Sequence, residues 1–233
     1  PFGGRGGSPG LATSVRSTAA ASVWRIRLRG RVRFQDGARF DAAAVLANAA
    51  RWQALDPPDS PAAELLGADS PKPGLVRFIL DGSDPSFDAA LGSSKLGIVS
   101  PRAIRDDGSI APLEPSGTGP FELREREFDR LLLARNIEWW GTRRDLGPGF
   151  DQIEIELDAS DAGRADSLLA GEVMLADELP AAEARRLGRD PLLVGLTVGG
   201  GEITGLERSV RGIESIREAP SLAGAWLTRL EPG

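Results

Sequence analysis

The chain has 233 residues, which is enough for one large domain or two small ones with a hydrophobic core that needs no disulfide. Hydrophobic residues make up 41% and charged residues 27% of the sequence, a composition that indicates a folded globular protein and excludes a disordered chain or a membrane bundle. The formal net charge of -6, with arginines interleaved among acidic residues, argues against nucleic acid and anionic membrane surfaces as partners.

The residue types that the sequence lacks narrow its chemistry. It contains no Cys, His or Tyr. Without His there is no usual general base near neutral pH, and neither Ser-His-Asp nor Cys-His catalysis is available. A pair of carboxylates, as in glycoside hydrolysis, remains the main enzymatic alternative. We therefore expect no catalytic residue, no metal site and no cofactor.

The first third of the chain predicts strands followed by a helix. Residues 1–10 are rich in Gly and Pro and indicate a loose end that lacks the apolar core of a signal peptide. VWRIRLRG, from Val23, alternates apolar residues with Arg and predicts a strand, and a second short strand is expected at 32–34. Next, Asp36 and Gly37 indicate a turn, and Asp41 is the expected N-cap of an amphipathic helix.

The middle of the chain predicts a loop, a strand and a hairpin. Residues 56–74 are rich in Pro, Asp and Ser and indicate a loop that holds a short helix at 62–67. LVRFIL at 75–80 predicts a strand, and helical turns are expected near Phe87 and after Pro101. FELREREFDRLLLAR then predicts a hairpin, with 121–124 paired to 130–135.

Strands and helices alternate in the last third. Strands are expected at 150–158, 172–179 and 192–198. Helices are expected before Gly171 and between Pro180 and Gly188. A Gly-rich run at 199–201 precedes a tail of different character. This alternation predicts a mixed α/β fold.

Four local patterns have both a functional and a structural interpretation. The Gly-rich loops at 116–120 and 199–205 lack the residues of a P-loop or dinucleotide loop, so tight turns are favoured. The pairs Glu125/Glu127 and Glu154/Glu156 each share a strand face and suggest acid-base or cation chemistry, but a solvated outer face is favoured. The acidic segment DASDAGRAD lacks the pattern of a calcium loop, so capping by Asp158 or Ser160 is favoured.

The adjacent tryptophans 139 and 140 form the fourth pattern. They suggest a stacking platform for a ligand. Since neighbouring residues on a strand face opposite ways, we favour one ring in the core and the other at a surface or seam.

Three longer segments together resemble one protein family. WRIRLRGRVRFQDGARFDAAAVLANAARW has a strand of the type W-x-I-x-L-R, then V-x-F-x-D-G and a helix opened by Asp. SGTGPFELREREFDRLLLARNIEWWG has a G-T-G-P-[FY] turn, a hairpin and the ending R-N-x-x-[YW]-W-G. FDQIEIELDASDAGRADSLLAGEVMLADELPAAEA has a strand, a helix ending L-x-x-G-E-V, and then Asp before a short helix. In this order they resemble the solute-binding proteins (family 5) of oligopeptide, dipeptide and nickel ABC importers.

The resemblance assigns motif positions, and we expect these to be structural. No ligand-binding residue follows from it. The motif positions are Trp24, Phe34, Asp36, Gly37, Asp41, Gly117, Thr118, Gly119, Pro120, Phe121, Asn136, Trp140 and Gly141.

The resemblance also implies a fold and a domain organisation. Members of the family fold as two lobes around a cleft, each with a mixed β-sheet flanked by helices. We expect one such lobe at 11–198, with an inserted subdomain at about 42–112, and a Gly-rich junction and return segment at 199–233. Much or all of the second lobe is expected to be missing.

The function implied by the resemblance is transport. We expect a periplasmic or extracellular solute-binding component of an ABC importer, which binds a peptide or a similar small solute and presents it to the permease. The first alternative is a shortened relative that binds no solute and acts as an interaction module, with self-association through an exposed lobe face. A carboxylate-dependent hydrolase is the remote alternative.

Overall fold

The computed structural model describes residues 10–55, 62–93, 96–110, 115–142, 147–157, 160–177, 179–190, 193–197, 203–208 and 229–232. The expected loose end, apart from Gly10, lies outside these residues, as does the Gly-rich run at 199–201. The chain divides into two compact units. Unit 1 comprises Pro1–Gly119 and Ile137–Leu146, and unit 2 comprises Pro120–Asn136 and Gly147–Gly233.

Unit 1 is built on a four-stranded antiparallel sheet in the order β1-β2-β4-β3. A 14-residue helix, α1, packs against β3 and β4. A one-turn helix, α2, and a 3₁₀ turn at Pro101–Ala103 follow the sheet. The bounds are β1 (Ala12–Ser17), β2 (Val23–Leu28), α1 (Ala42–Leu55), β3 (Leu65–Lys72), β4 (Leu75–Leu80) and α2 (Phe87–Ala90).

The alternating sequence of β2 produces the core of unit 1. Trp24 and Ile26 are almost completely buried, whereas the intervening arginines are exposed. The Trp24 ring lies 6.0 Å from that of Phe87, and its N–H donates to the carbonyl of Ala21 at 3.0 Å. Phe78 on β4 meets Phe87 edge to face at 5.8 Å. This aromatic cluster joins the sheet to α2.

Two expected elements of unit 1 are wrong. The segment 32–34 is not a strand, because the turn at Gly37 folds it back onto itself and leaves one isolated bridge between Arg33 and Arg39. The expected helix at 62–67 is a turn at 62–64 followed by the start of strand β3, which pairs with β4 across a turn at Gly74, where φ is +70°. Pairing to β4 outweighs the loop-forming composition of this segment. The sequence also did not predict strand β1.

Unit 2 contains two antiparallel sheets, in the orders β11-β7-β6-β5 and β8-β10-β9. Two helices, α3 and α4, pack against each other through a small apolar cluster. The bounds are β5 (Phe121–Arg126), β6 (Arg130–Arg135), β7 (Phe150–Glu156), α3 (Asp161–Ala170), β8 (Leu175–Asp177), α4 (Ala181–Leu187), β9 (Leu193–Thr197), β10 (Ile203–Arg208) and β11 (Arg229–Pro232).

Most expected elements of unit 2 are confirmed. The β5–β6 hairpin forms at the expected place, and α3 begins at Ser160, whose Oγ accepts from the N–H of Gly163 at 3.2 Å. Gly171 ends α3 in the left-handed conformation, with φ of 75°. The other capping candidate, Asp158, lies outside the described residues.

The fold class is confirmed as mixed α/β, with helices beside sheets. A sheet of mixed strand direction was expected, but all strand pairings among the described residues are antiparallel. In the part of the chain that the structure describes, no helix combines the length and apolar character needed to cross a bilayer.

Candidate functional site

Three loops of unit 1 meet at a network of hydrogen bonds, which we call the loop junction (Gln35, Asp36, Ser100, Ser116 and Gly117). Ser100 Oγ donates to Asp36 Oδ2 at 2.5 Å, and the Asp36 N–H donates to Ser116 Oγ at 3.1 Å. The Gly117 N–H donates to Gln35 Oε1 at 3.0 Å, and the Gln35 N–H donates to the Gly117 carbonyl at 2.9 Å. The D-G motif and the G-T-G-P motif are therefore bonded to each other.

The chemistry of the loop junction favours a structural role. Ser100 is fully buried and Ser116 is 6% exposed, so neither hydroxyl is presented to a substrate. The sequence has no imidazole to activate a serine. One carboxylate oxygen of Asp36 accepts from the hydroxyl of Ser100, and the other accepts from the N–H of Ala38 at 2.9 Å. Hydrogen bonds to an ionised carboxylate are stronger than neutral ones, so the junction fixes the three loops.

A second buried polar contact holds α1 to the segment that leads into the loop junction. Asn48 is 0% exposed. Its Nδ2 donates to the carbonyl of Val99 at 2.8 Å, and its Oδ1 accepts from the N–H of Val99 at 3.1 Å. The side-chain amide thus satisfies both the N–H and the carbonyl of Val99, as a neighbouring strand would do. Asn48 lies within the first of the three family-like segments, so this contact ties that segment to Val99.

The second motif ends in a group that we call the tryptophan stack (Arg29, Trp139, Trp140 and Gly141). The guanidinium of Arg29 lies 4.4 Å from the ring centroid of Trp140, a cation–π geometry. The rings of Trp139 and Trp140 are 5.1 Å apart. The two tryptophans lie outside any strand and their rings contact each other, so the premise that they alternate along a strand is wrong. Trp140 packs on the core of unit 1, and Trp139 is half-buried.

Because Gly141 has no side chain, the Trp139 ring can occupy the space beside it. A Cβ at position 141 would overlap the six-membered ring of Trp139. We therefore expect Gly141→Ala to displace that ring and to lower the free energy of unfolding by about 1–2 kcal/mol, the usual cost of overpacking. Chemical denaturation monitored by tryptophan fluorescence measures both effects. Gly147→Ala is the matched control, because its Cβ would meet no atom within 4 Å, and an equal loss in both variants would contradict the prediction.

Three of the four carboxylates in the acidic pairs of unit 2 contact one arginine. Arg130 Nη2 contacts Glu127 at 3.1 Å and Glu125 at 3.3 Å, and its Nη1 contacts Glu154 at 3.2 Å. Hydrogen bonding and attraction to Arg130 lower the pKa of Glu127. A general acid at neutral pH requires a raised pKa, so this geometry supports an ion-pair cluster on a solvated face, as the sequence favours.

The lowered carboxyl pKa values predict a loss of stability in acid. The pKa of Asp69 is also lowered, by hydrogen bonding to Arg77. A carboxyl group with a depressed folded pKa stabilises the fold above its unfolded pKa, about 4. That contribution is lost as the pH falls through the folded value. Melting temperatures measured from pH 6 to pH 2.5 should therefore decrease once the pH is below about 4. The double variant Glu127→Gln and Asp69→Asn should show a weaker dependence of melting temperature on pH, that is, a smaller slope. An unchanged slope would contradict the assignment.

The remaining motif residues fall into four structural groups. Trp24 and Phe34 are core residues, with 1% and 2% exposure. Asp41 caps α1, its Oδ1 accepting from the N–H of Ala44 at 3.1 Å. Near the unit boundary, the Asn136 N–H donates to the Pro120 carbonyl at 2.7 Å. Four further members lie in turns or at the start of a strand: Gly37, with φ of 80°, lies in the first turn, Thr118 and Gly119 lie in the second, and Phe121 begins β5.

The sequence reading missed residues outside the family motifs. Ser100 and Ser116 belong to the loop junction, but nothing in their spacing relates them to Asp36. One signal was available for Ser100, because a Ser directly before Pro101 is a typical cap of a helical turn, and its Oγ accepts from the N–H of Arg102 at 3.3 Å. In the described residues, no group of three or more His, Cys, Asp or Glu side chains is placed to hold a metal ion.

Comparison with known families identifies the class of protein that this arrangement belongs to. Residues 7–211 match the profile described as bacterial extracellular solute-binding proteins, family 5 Middle. Because the match covers most of the sequence, the chain belongs to this family. Proteins of this family are the extracellular solute-binding components of ABC importers.

Curated relatives support the same family. The chain is 27% identical over 190 residues to the glutathione-binding protein GsiB of Escherichia coli O6:K15:H31, with 77% of this chain and 35% of that protein covered. It is 30% identical over 178 residues to GsiB of Salmonella paratyphi A, with 72% and 33% covered. The chain therefore spans about a third of the length of these relatives.

Solved structures show the same fold. An ABC transporter substrate-binding protein from Sinorhizobium meliloti matches with a TM-score of 0.71 and 24% identity, covering 83% of this chain and 41% of that one. DppA from Helicobacter pylori in complex with the peptide STSA matches with a TM-score of 0.64 and 24% identity, covering 80% and 41%. The fold of a periplasmic-binding-protein lobe is thus confirmed.

Proposed function

We propose that the chain acts in an ABC importer as solute-binding component, outside the cytoplasmic membrane, and presents a small peptide or similar solute to the permease. The observation that carries this proposal is the family match over residues 7–211. The loop junction and the tryptophan stack support it, because each holds motif residues in contact with the rest of the fold: Asp36 and Gly117 in the first, and Trp140 and Gly141 in the second.

The relatives indicate the chemical class of solute. The curated relatives bind glutathione, a tripeptide, and DppA was solved with the peptide STSA. NikA from Brucella suis was solved with Fe(III)-EDTA, and MoaA of A. tumefaciens with mannopinic acid. These ligands are small and carry carboxylates. Peptides of two to five residues are the first solutes to test, followed by metal chelates.

We further propose that the role is non-catalytic and that the domains follow the family. The buried serines of the loop junction and the carboxylates held by Arg130 support binding over hydrolysis. We propose one lobe at 11–198, with an inserted subdomain at about 42–112 and a return segment at 199–233.

A thermal-melt screen tests the proposal. The panel contains glutathione, Ser-Thr-Ser-Ala, other di- to pentapeptides, nickel–histidine and mannopinic acid, with a short sugar as the chemical control. A ligand at 100 times its dissociation constant adds about 2.7 kcal/mol, which corresponds to a shift of roughly 5–10 °C for a chain of this size. A shift confined to one ligand class would support the proposal. Cooperative melts with no shift across the panel would contradict it.

The second candidate is an interaction module that binds no solute. Two exposed apolar side chains favour it: Phe128 at the tip of the β5–β6 hairpin is 90% exposed, and Ile137 in unit 1 is 80% exposed. Light scattering after size exclusion tests it over a hundredfold range of concentration. Self-association that Phe128→Ser or Ile137→Ser abolishes would support this candidate, and a monomer at all concentrations would count against self-association.

A further inference from the structure

The outer face of the unit 1 sheet carries a row of arginines from three neighbouring strands. Arg16 on β1 lies opposite Arg25 on β2, and Arg25 lies opposite Arg77 on β4. Directly opposed residues of an antiparallel pair share a face, with Cα atoms about 4.5–5.5 Å apart. Arg27 follows Arg25 by two residues and lies on the same face. We call Arg16, Arg25, Arg27 and Arg77 the arginine face.

The arginine face is largely exposed, and strands β1 to β4 place no aromatic side chain on it. Arg16, Arg25 and Arg27 are exposed, whereas the opposite side of the same strands forms the core. Half-buried aliphatic residues lie between the arginines on the outer side, at Val23, Leu75 and Ile79. Strands β1 to β4 are described throughout, and they place no aromatic side chain on this face. The surface therefore offers cations and short apolar groups, without the stacking platforms typical of single-stranded nucleic acid sites.

The chain supplies little negative charge to this face. Arg77 pairs with Asp69 on β3. In the part of the chain that the structure describes, the guanidinium groups of Arg16, Arg25 and Arg27 form no ion pair or hydrogen bond. Like charges on opposed strand positions destabilise a sheet, so the row weakens the fold that carries it. A protein of net charge -6 keeps three adjacent, uncompensated cations, which is the arrangement expected of a binding surface for an anion.

We propose that the arginine face binds the anionic phospholipid surface of the membrane. Guanidinium groups bind phosphate through paired hydrogen bonds, and arginines spread over three adjacent strands can reach several headgroups at once. The Debye length is about 8 Å at physiological salt, so the local patch governs contact although the whole chain is acidic. The family is extracellular and works with permeases that reside in the membrane. Attachment to lipid is independent of solute binding and goes beyond the proposed function.

The acidic composition of the chain argues against binding to an anionic membrane. The fold, however, gathers positive charge on one face, which composition does not show. Arginines alternate with acidic residues along much of the sequence, which predicts a surface of mixed charge. In the sheet, however, the alternation in β2 is with apolar residues, and pairing brings Arg16 and Arg77 to the two sides of Arg25. Charge is therefore segregated on this face by strand register.

Vesicle sedimentation tests the proposal with the whole chain. Vesicles of phosphatidylcholine alone are compared with vesicles that contain a quarter phosphatidylglycerol, at 0.1 M and 0.5 M NaCl. We expect binding that requires phosphatidylglycerol and is lost at high salt. Each basic residue near such a surface contributes about a fivefold change in partitioning. The variant with Arg16→Gln, Arg25→Gln and Arg27→Gln should therefore bind roughly 100-fold more weakly.

A matched variant separates the arginine face from total charge. Arg39→Gln, Arg185→Gln and Arg189→Gln remove three exposed arginines elsewhere, none of which forms a described side-chain ion pair. This control should retain most of the binding. Circular dichroism confirms folding, and the single variant Arg25→Gln, with an expected fivefold loss, replaces the triple variant if the latter unfolds.

Three results would overturn the proposal. They are an equal loss in the matched control, equal sedimentation with neutral vesicles, and no sedimentation with either. Tighter binding of a 20-nucleotide single strand than of anionic vesicles at 0.15 M salt would assign the face to nucleic acid instead. The solute melts of the triple variant are expected to be unchanged, so failure of lipid binding and failure of solute binding are separate results.

Discussion

Replacing Asn48 by alanine is expected to lower the free energy of unfolding by about 4 kcal/mol. The side chain is fully buried and satisfies both the N–H and the carbonyl of Val99. Its removal leaves two backbone polar groups without a partner, each at a cost of about 1–3 kcal/mol, and a small cavity. Urea denaturation followed by circular dichroism measures the loss.

A matched control is available on the same helix. Gln53 also donates one side-chain hydrogen bond to a backbone carbonyl, that of Leu65 at 2.8 Å, but the residue is exposed. Gln53→Ala should cost less than about 1 kcal/mol, because water replaces the lost donor. A similar loss in the two variants would contradict the role assigned to Asn48.

Replacing Asp36 by alanine is expected to lower the free energy of unfolding by about 2 kcal/mol, because the residue is exposed and water reaches part of the vacated site. The change removes a charge-assisted bond from Ser100 at 2.5 Å and leaves a buried hydroxyl without its acceptor. It also removes the turn bond to Ala38. Because the loss arises at a pair, a double-mutant cycle with Ser100→Ala should give a coupling energy of about 1–3 kcal/mol.

The control for Asp36 isolates the turn bond. Asp107 accepts from the N–H of Ser109 at 2.9 Å, in the same i to i+2 geometry as Asp36 with Ala38. Asp107→Ala should therefore cost about 1 kcal/mol. A coupling energy near zero in the cycle, or equal losses for Asp36→Ala and Asp107→Ala, would show that the loop junction is not a cooperative unit.

Local sequence signals predicted the helices and most strands of this fold. The alternation in β2 and β7 and the caps at Asp41, Ser160 and Gly171 act within a few residues, where side-chain chemistry and backbone geometry are directly linked. For the same reason the sequence predicted the β5–β6 hairpin at the residues where it forms.

The missed strands depend on pairing with a neighbouring strand, which their own composition does not reveal. β3 holds Gly, Asp, Ser and Pro, and it is a strand because β4 pairs with it. β1 has mixed polarity and is fixed by pairing with β2. Propensity in strands is set by such context, which local composition does not contain.

The candidate site shows the same limit. The resemblance identified Asp36 and Gly117 as motif members, but the bonds from Asp36 to Ser116 and from Gly117 to Gln35 join loops far apart in sequence. The Trp139 and Trp140 rings meet in a segment that lies outside any strand, and an argument from strand alternation cannot give that result. The arginine face likewise depends on strand register, which sets residues 16, 25 and 77 side by side.

Equilibrium dialysis of the purified chain against a mixture of di- to pentapeptides, read by mass spectrometry, tests the central claim most directly. At protein concentrations of about 50 μM, a solute with a micromolar dissociation constant accumulates on the protein side. Solute-binding function predicts enrichment of a defined subset of peptides, reversed by an excess of one member of that subset. Equal peptide concentrations in the two chambers, with a chain that circular dichroism shows to be folded, would contradict the claim.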